Sequence, residues 1–291
     1  MRVSELVDSL LHVLAEPLNY SFTWRAVLAA SVMAVVAGLL SCWLVLVGWS
    51  LMGDAISHAI LPGVVIAHLV GAPFAVGALA ASLLAVWLVG AVRERTTLRP
   101  DTSIGIVFTS MFAGGLVLIS ATPSASHLQE ILFGNLLGIS DAALVQAVGF
   151  GAAALLVMLA CARAWTLWAF DASFAAAIGM RVWLVRGLLT VCMACVVVAS
   201  VQAVGVILVV AMLITPGAVA YLLTRRFAVM LLVAPVVAWA SAMVGIWVSF
   251  WADVSTGGTI VLVQACVFAV VYVAAPREGV LQLRSRSHAS S

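Results

Sequence analysis

Apolar residues run along this chain in long blocks, without the strict alternation of half-buried strands or the narrow stripes of soluble surface helices. Blocks of about 17–25 residues, coiled as helix, match a hydrocarbon layer roughly 30 Å thick. They fall at 25–47, 51–70, 73–92, 103–120, 142–161, 183–200, 205–223, 227–250 and 256–274. The pattern predicts an all-α polytopic membrane protein of eight to nine spans, nine being preferred and the uncertainty lying in how 183–223 divides. Residues 25–276 form one transmembrane domain, and residues 277–291 a cytoplasmic tail.

Ahead of it, residues 1–24 read as an interfacial amphipathic segment. Leu6, Leu10, Val13 and Leu14 recur at helical spacing, while Asp8, His12 and Glu16 break the apolar run that a signal peptide needs.

Composition agrees: of 291 residues, 65% are hydrophobic and 8% charged, with a mean hydropathy of +1.25. All 13 basic residues are arginine. Without a lysine the chain cannot build a P-loop, whose lysine holds the β- and γ-phosphates, so it has no Walker-type ATP site of its own. The arginines cluster after every second span: Arg93, Arg95 and Arg99; Arg163, Arg181 and Arg186; Arg225 and Arg226; Arg277, Arg284 and Arg286. By the positive-inside rule these places are cytoplasmic, so the basic charge records topology and indicates no nucleic-acid partner. Arg25, at the outer end of the first span, is an exception.

The five cysteines, Cys42, Cys161, Cys192, Cys195 and Cys266, lie in or beside apolar runs and read as small buried hydrophobes, with no disulfide framework. Cys192 and Cys195 form a CxxC, two ligands short of a structural zinc site.

Two segments are too short to span. Residues 127–138, HLQEILFGNLLG, read as an outer-surface or re-entrant helix, in which His127 and Glu130 are a solvated polar pair. Residues 170–180, FDASFAAAIGM, read as a short cytoplasmic helix with Asp171 as N-cap and Gly179 as C-cap, either a docking element or a connector.

Chemistry enters with Asp54 and His58, which share one helical face within an otherwise apolar span. An ionisable group at membrane depth costs roughly 2.5–3.5 kcal/mol even on insertion scales, so it persists mainly where it has a role. A carboxylate oxygen beside an imidazole nitrogen makes half of a divalent-metal site. The competing reading is a mutual hydrogen bond, or an Asp54 that lies at the interface. His68 faces another way and reads as interfacial. Pro62 removes the N–H that would bond the His58 carbonyl, and Pro216, followed by Gly217, does the same to Met212, so both are expected to break their helices near the path. Zinc-protease and nucleophile-elbow motifs are missing, and Ser57 faces away from His58, so an enzyme lacks its constellation.

Taken together, several strings resemble the permease subunits of the manganese/zinc/iron ABC importers. They are GDAISHAILPGV from Gly53, RPDTSIGIVFTSMFAGGLVLIS from Arg99, LFGNLLGIS from Leu132, FDASFAAAIGM from Phe170, VGVILVVAMLITPGAVAYLLTRRF from Val204, and STGGTIVLV with APREG from Ser255. The resemblance implies a multi-pass subunit of a prokaryotic plasma membrane, with Asp54 and His58 in the metal path. It implies that the segment from Asp171 to Gly179, with Phe174 and Ile178, contacts a cytoplasmic ABC ATPase. A second permease chain, identical or paralogous, and an extracellular metal-binding protein complete such a transporter. The transported ion is the substrate, manganese being favoured over iron and zinc, and no tightly bound cofactor is implied. Members often carry a basic pair before this second span, where this chain has Val47, Gly48, Trp49 and Ser50. The alternative class is a secondary transporter or channel that uses Asp54 and His58 as an ion relay.

Overall fold

In the computed structural model, which describes residues 16–97, 99–121 and 136–275, the apolar blocks become helices. They are α1 (Ser21–Val47), α2 (Ser50–Ala59), α3 (Leu61–Val70), α4 (Phe74–Arg95), α5 (Pro100–Ser120), α6 (Asp141–Phe170), α7 (Ala172–Ala177), α8 (Val182–Val204), α9 (Val206–Leu223), α10 (Phe227–Ala252) and α11 (Thr256–Ala274). With α2 and α3 counted as one span, nine segments among the described residues are long and apolar enough to cross a membrane. The preferred count of nine is therefore realised. The expected surface helix containing His127 and Glu130 lies mostly outside the described residues, as do the tail at 277–291 and most of the N-terminal segment.

Several boundaries differ from the hydropathy reading, those of α1 and α6 among them. α1 begins at Ser21, and α6 continues nine residues past Cys161 to Phe170. Hydropathy stops at Arg163, but a helix continues wherever its backbone groups remain paired.

Helix α1 is the central post, packed by α6, α8, α9 and α10. Its middle is wholly buried at Ala30, Met33, Ala34, Leu40 and Leu44. Without water between helices to drive association, close packing of small residues must do so. A Cβ on Gly217 of α9 would meet the Ser41 carbonyl oxygen at 2.6 Å, and one on Gly38 would meet Pro235 Cα of α10 at 2.9 Å. A second layer of α2 to α5 lies beside α8 and α9. Gly63 of α3 and Gly77 of α4 cross so closely that each occupies the space a Cβ on the other would need.

Candidate metal site

The second span starts abruptly. Gly48 adopts φ 75°, a left-handed conformation that ends α1, and Trp49 forms the N-cap of α2. At 1.5 Å per residue, Asp54 then stands about 6 Å and His58 about 12 Å above Ser50 along the helix. The two side chains meet as their spacing predicts, with His58 Nε2 3.5 Å from Asp54 Oδ1. Their side chains remain 31% and 35% accessible respectively, so an ion can reach both donors. Ser57 is fully buried and spends its hydroxyl on the Gly53 carbonyl at 2.8 Å, facing away from the pair.

Helix α5 supplies the wall behind the histidine. The imidazole lies 5.4 Å from the Phe108 ring and 5.3 Å from Phe112, the latter nearly perpendicular at 83°. His58 Nδ1 is buried and has no hydrogen-bond partner. The usable ligand atom is thus Nε2, the nitrogen already turned to Asp54, and an imidazole that binds through Nε2 carries its proton on Nδ1. A hard oxygen beside a borderline nitrogen suits first-row divalent ions. Among the described residues no cluster of three or more His, Cys, Asp or Glu side chains gathers here or elsewhere, so one chain offers two side-chain donors.

The two helix breaks read from proline differ. At Pro62 the span does divide, α2 ending at Ala59 and α3 beginning at Leu61 with proline in its first turn. The joint at Ile60 keeps φ −68° and ψ −20°, so the helix is loosened without being unwound. Pro216, by contrast, does not interrupt α9, which runs unbroken from Val206 to Leu223. Packing explains the continuity: Gly217 is clamped against Ser41, and one turn earlier Leu213 lies where a Cβ on Gly53 would go. α9 therefore bridges α1 and the helix that carries Asp54.

At the arginine-bearing end, Asp171 accepts a hydrogen bond from the Phe174 backbone N–H at 2.8 Å, capping the six-residue α7. Gly179 closes it at φ 83°, with its N–H on the Ala176 carbonyl at 3.0 Å. Ala175 is buried, while Phe174 and Ile178 expose 52% and 54% of their surface. The capped turn thus presents two large apolar side chains outside the apolar blocks.

An aromatic cluster between these two regions was not legible in the sequence. Trp49 packs edge-on to Trp168 of α6 at 5.6 Å, and the Arg186 guanidinium of α8 lies over the Trp49 ring at 5.3 Å. An arginine from α8 thus stands beside the start of the second span, where the sequence itself carries no basic residue. Phe108 and Phe112, spaced four apart in an apolar block, likewise carried no signal; only the packing of α5 on α2 reveals them.

Comparison with known proteins gives the family and the fold. Residues 19–275 match the ABC 3 transport family. The chain is 43% identical over 278 residues to the manganese transport system membrane protein MntB of Synechocystis sp., covering 95% of this chain and 91% of that one. It is 44% identical over 267 residues to the chelated iron transport system membrane protein YfeD of Yersinia pestis, covering 92% and 90%. Its fold superposes on PsaBC from Streptococcus pneumoniae, solved in complex with Fab, with a TM-score of 0.84 and 35% identity, covering 97% of this chain and all of that one. With a match that takes in every helix described, the protein belongs to the ABC 3 transport family.

Proposed function

We propose that this chain is the membrane-spanning permease subunit of an ATP-driven importer of a divalent transition metal, with manganese as its preferred substrate and iron or zinc as competitors. The observation that carries the reading is the accessible Asp54 Oδ1 and His58 Nε2 pair on one face of α2. Relatives named for manganese and for chelated iron support the substrate class.

In this reading the ion is held by two donors from this chain, two from a second permease chain across a two-fold axis, and water. Such a shell is incomplete by design, since the site must release what it binds. His58 Nδ1 meets no acceptor among the described residues to fix the ring as a ligand, which also favours weak, reversible binding. Lacking lysine, the chain hydrolyses no ATP by a P-loop; α7 supplies the docking surface for a cytoplasmic ATPase, and an extracellular binding protein delivers the ion. A self-contained carrier has no need of a capped, outward-facing helix such as α7, which favours the ABC reading over a relay channel.

Uptake by vesicles reconstituted with the ATPase and binding protein tests the proposal. Asp54→Ala and His58→Ala should each abolish manganese accumulation while the complex still assembles. Normal uptake in both variants would remove the site assignment, and competition among manganese, iron and zinc ranks the substrates.

A further inference from the structure

We infer that Trp49 is a positioning residue through which displacement of α7 pivots α2, and with it Asp54 and His58; the inference rests on the transporter reading above. The chain enters α7 from Trp168, three residues before the capping Asp171, and leaves it through Arg186 in the second turn of α8. Both side chains converge on one indole. Trp168 meets Trp49 edge-on at 5.6 Å, and Arg186 lies over its ring at 5.3 Å, in a setting that leaves Trp49 only 8% exposed.

The two flanks of α7 are also fastened to each other. Trp165, fully buried on α6, donates its indole N–H to the Val185 carbonyl of α8 at 3.0 Å. Trp43 of α1 packs edge-on to Trp165 at 5.6 Å and donates to Thr166 Oγ1 at 3.1 Å. α6, α7 and α8 therefore meet at their arginine-bearing ends as one framed unit.

Helix α2 is built to answer a push at its first residue. Before Trp49, Gly48 at φ 75° is surrounded by open space and separates α2 from α1 by a two-residue link. Ten residues later the helix is jointed at Ile60. α2 is thus a short rod bounded by a two-residue link and by the joint at Ile60, with the metal donors on its second and third turns. Trp49 grips the rod by its base, and the flanks of α7 grip Trp49. The Leu213 side chain, which fills the space a Cβ on Gly53 would need, provides the fulcrum on the α9 side.

The test is the number of manganese ions imported per ATP hydrolysed by the full reconstituted complex, measured beside equilibrium manganese binding to the permease in detergent. Trp49→Leu should lower the ratio at least tenfold while leaving manganese affinity and ATP turnover within twofold. Trp49→Phe, which keeps an aromatic edge for Trp168, should recover at least half of it. Arg186→Gln, which opens no cavity, should lower the ratio about threefold, so the inference remains testable if Trp49→Leu fails to fold. An unchanged ratio in Arg186→Gln, or a fall in manganese affinity that accounts for the lost uptake, overturns the inference and leaves a packing cluster only. A wild-type complex without ATP-dependent manganese uptake would instead overturn the transporter reading itself, and this inference with it.

Discussion

Arg25 Nη2 lies 3.0 Å from Asp141 Oδ1, joining the second turn of α1 to the first turn of α6 at the end of the bundle opposite the arginine clusters. The pairing accounts for the arginine that departs from the positive-inside pattern: its charge is met locally by a carboxylate. Both side chains are well exposed, at 44% and 75%, so the pair is a weak one in energy. A double-mutant cycle with Arg25→Gln and Asp141→Asn, followed by thermal unfolding in detergent, should give a coupling of about 0.2–1 kcal/mol that shrinks as salt is raised.

Two glycines on α4 should respond in opposite ways. Gly77 has no room for a Cβ against Gly63, whereas Gly90 faces open space. Gly77→Ala should lower stability by about 1–3 kcal/mol through overpacking. Gly90→Ala should leave it unchanged or raise it by up to about 1 kcal/mol, the helix-propensity gain. Thermal melts of the two purified variants make the comparison.

The aromatic wall behind His58 should tune metal affinity without supplying a ligand. An aromatic pair contributes about 0.5–1.5 kcal/mol beyond its buried area, so Phe112→Leu should weaken manganese binding by about two- to tenfold. Calorimetric titration of the detergent-solubilised permease gives the value. Loss as complete as in His58→Ala would mean that Phe112 holds the fold of the site rather than the angle of one ring.

With Asp54 and His58 as the proposed ligands, protons and metal would compete for the same lone pairs, because both ligands bind in their deprotonated forms. Manganese affinity should therefore fall as pH is lowered. The dependence should flatten in His58→Gln, which cannot take up the second proton. Affinities measured over a pH series for wild type and this variant decide the point.

Asp171→Ala removes the side-chain acceptor for the Phe174 N–H and should cost α7 about 1 kcal/mol of local stability. Stimulation of the ATPase by the permease should drop several-fold, with metal binding to the isolated permease unchanged. Equal stimulation by wild type and variant would remove α7 as the docking element.

Much of this molecule was legible before its structure. The spans were, because bilayer thickness fixes helix length, and so was the Asp54–His58 contact, because spacing four apart fixes a helical face. α7 was legible from Asp171 and Gly179, whose preferences act locally. What escaped depends on which helices become neighbours. Proline chemistry alone misjudged Pro216, since the clamp of Gly217 on Ser41 belongs to α1. The role of Arg186 was hidden because its ring partner, Trp49, lies 137 positions away along the chain. The end of α6 was misplaced because charge stops a hydropathy count but not a helix.

That longer α6 has a consequence of its own. Its 30 residues extend about 45 Å, longer than a hydrocarbon layer of roughly 30 Å, so the helix spans with length to spare. α7 therefore hangs from the end of one continuous helix, braced to α8 by the Trp165 indole on the Val185 carbonyl, at a distance from the bundle set by protein alone. A thinner or thicker bilayer is met by tilt or by lipid packing along α6 and leaves that distance alone, so membrane thickness and the placing of α7 are decoupled.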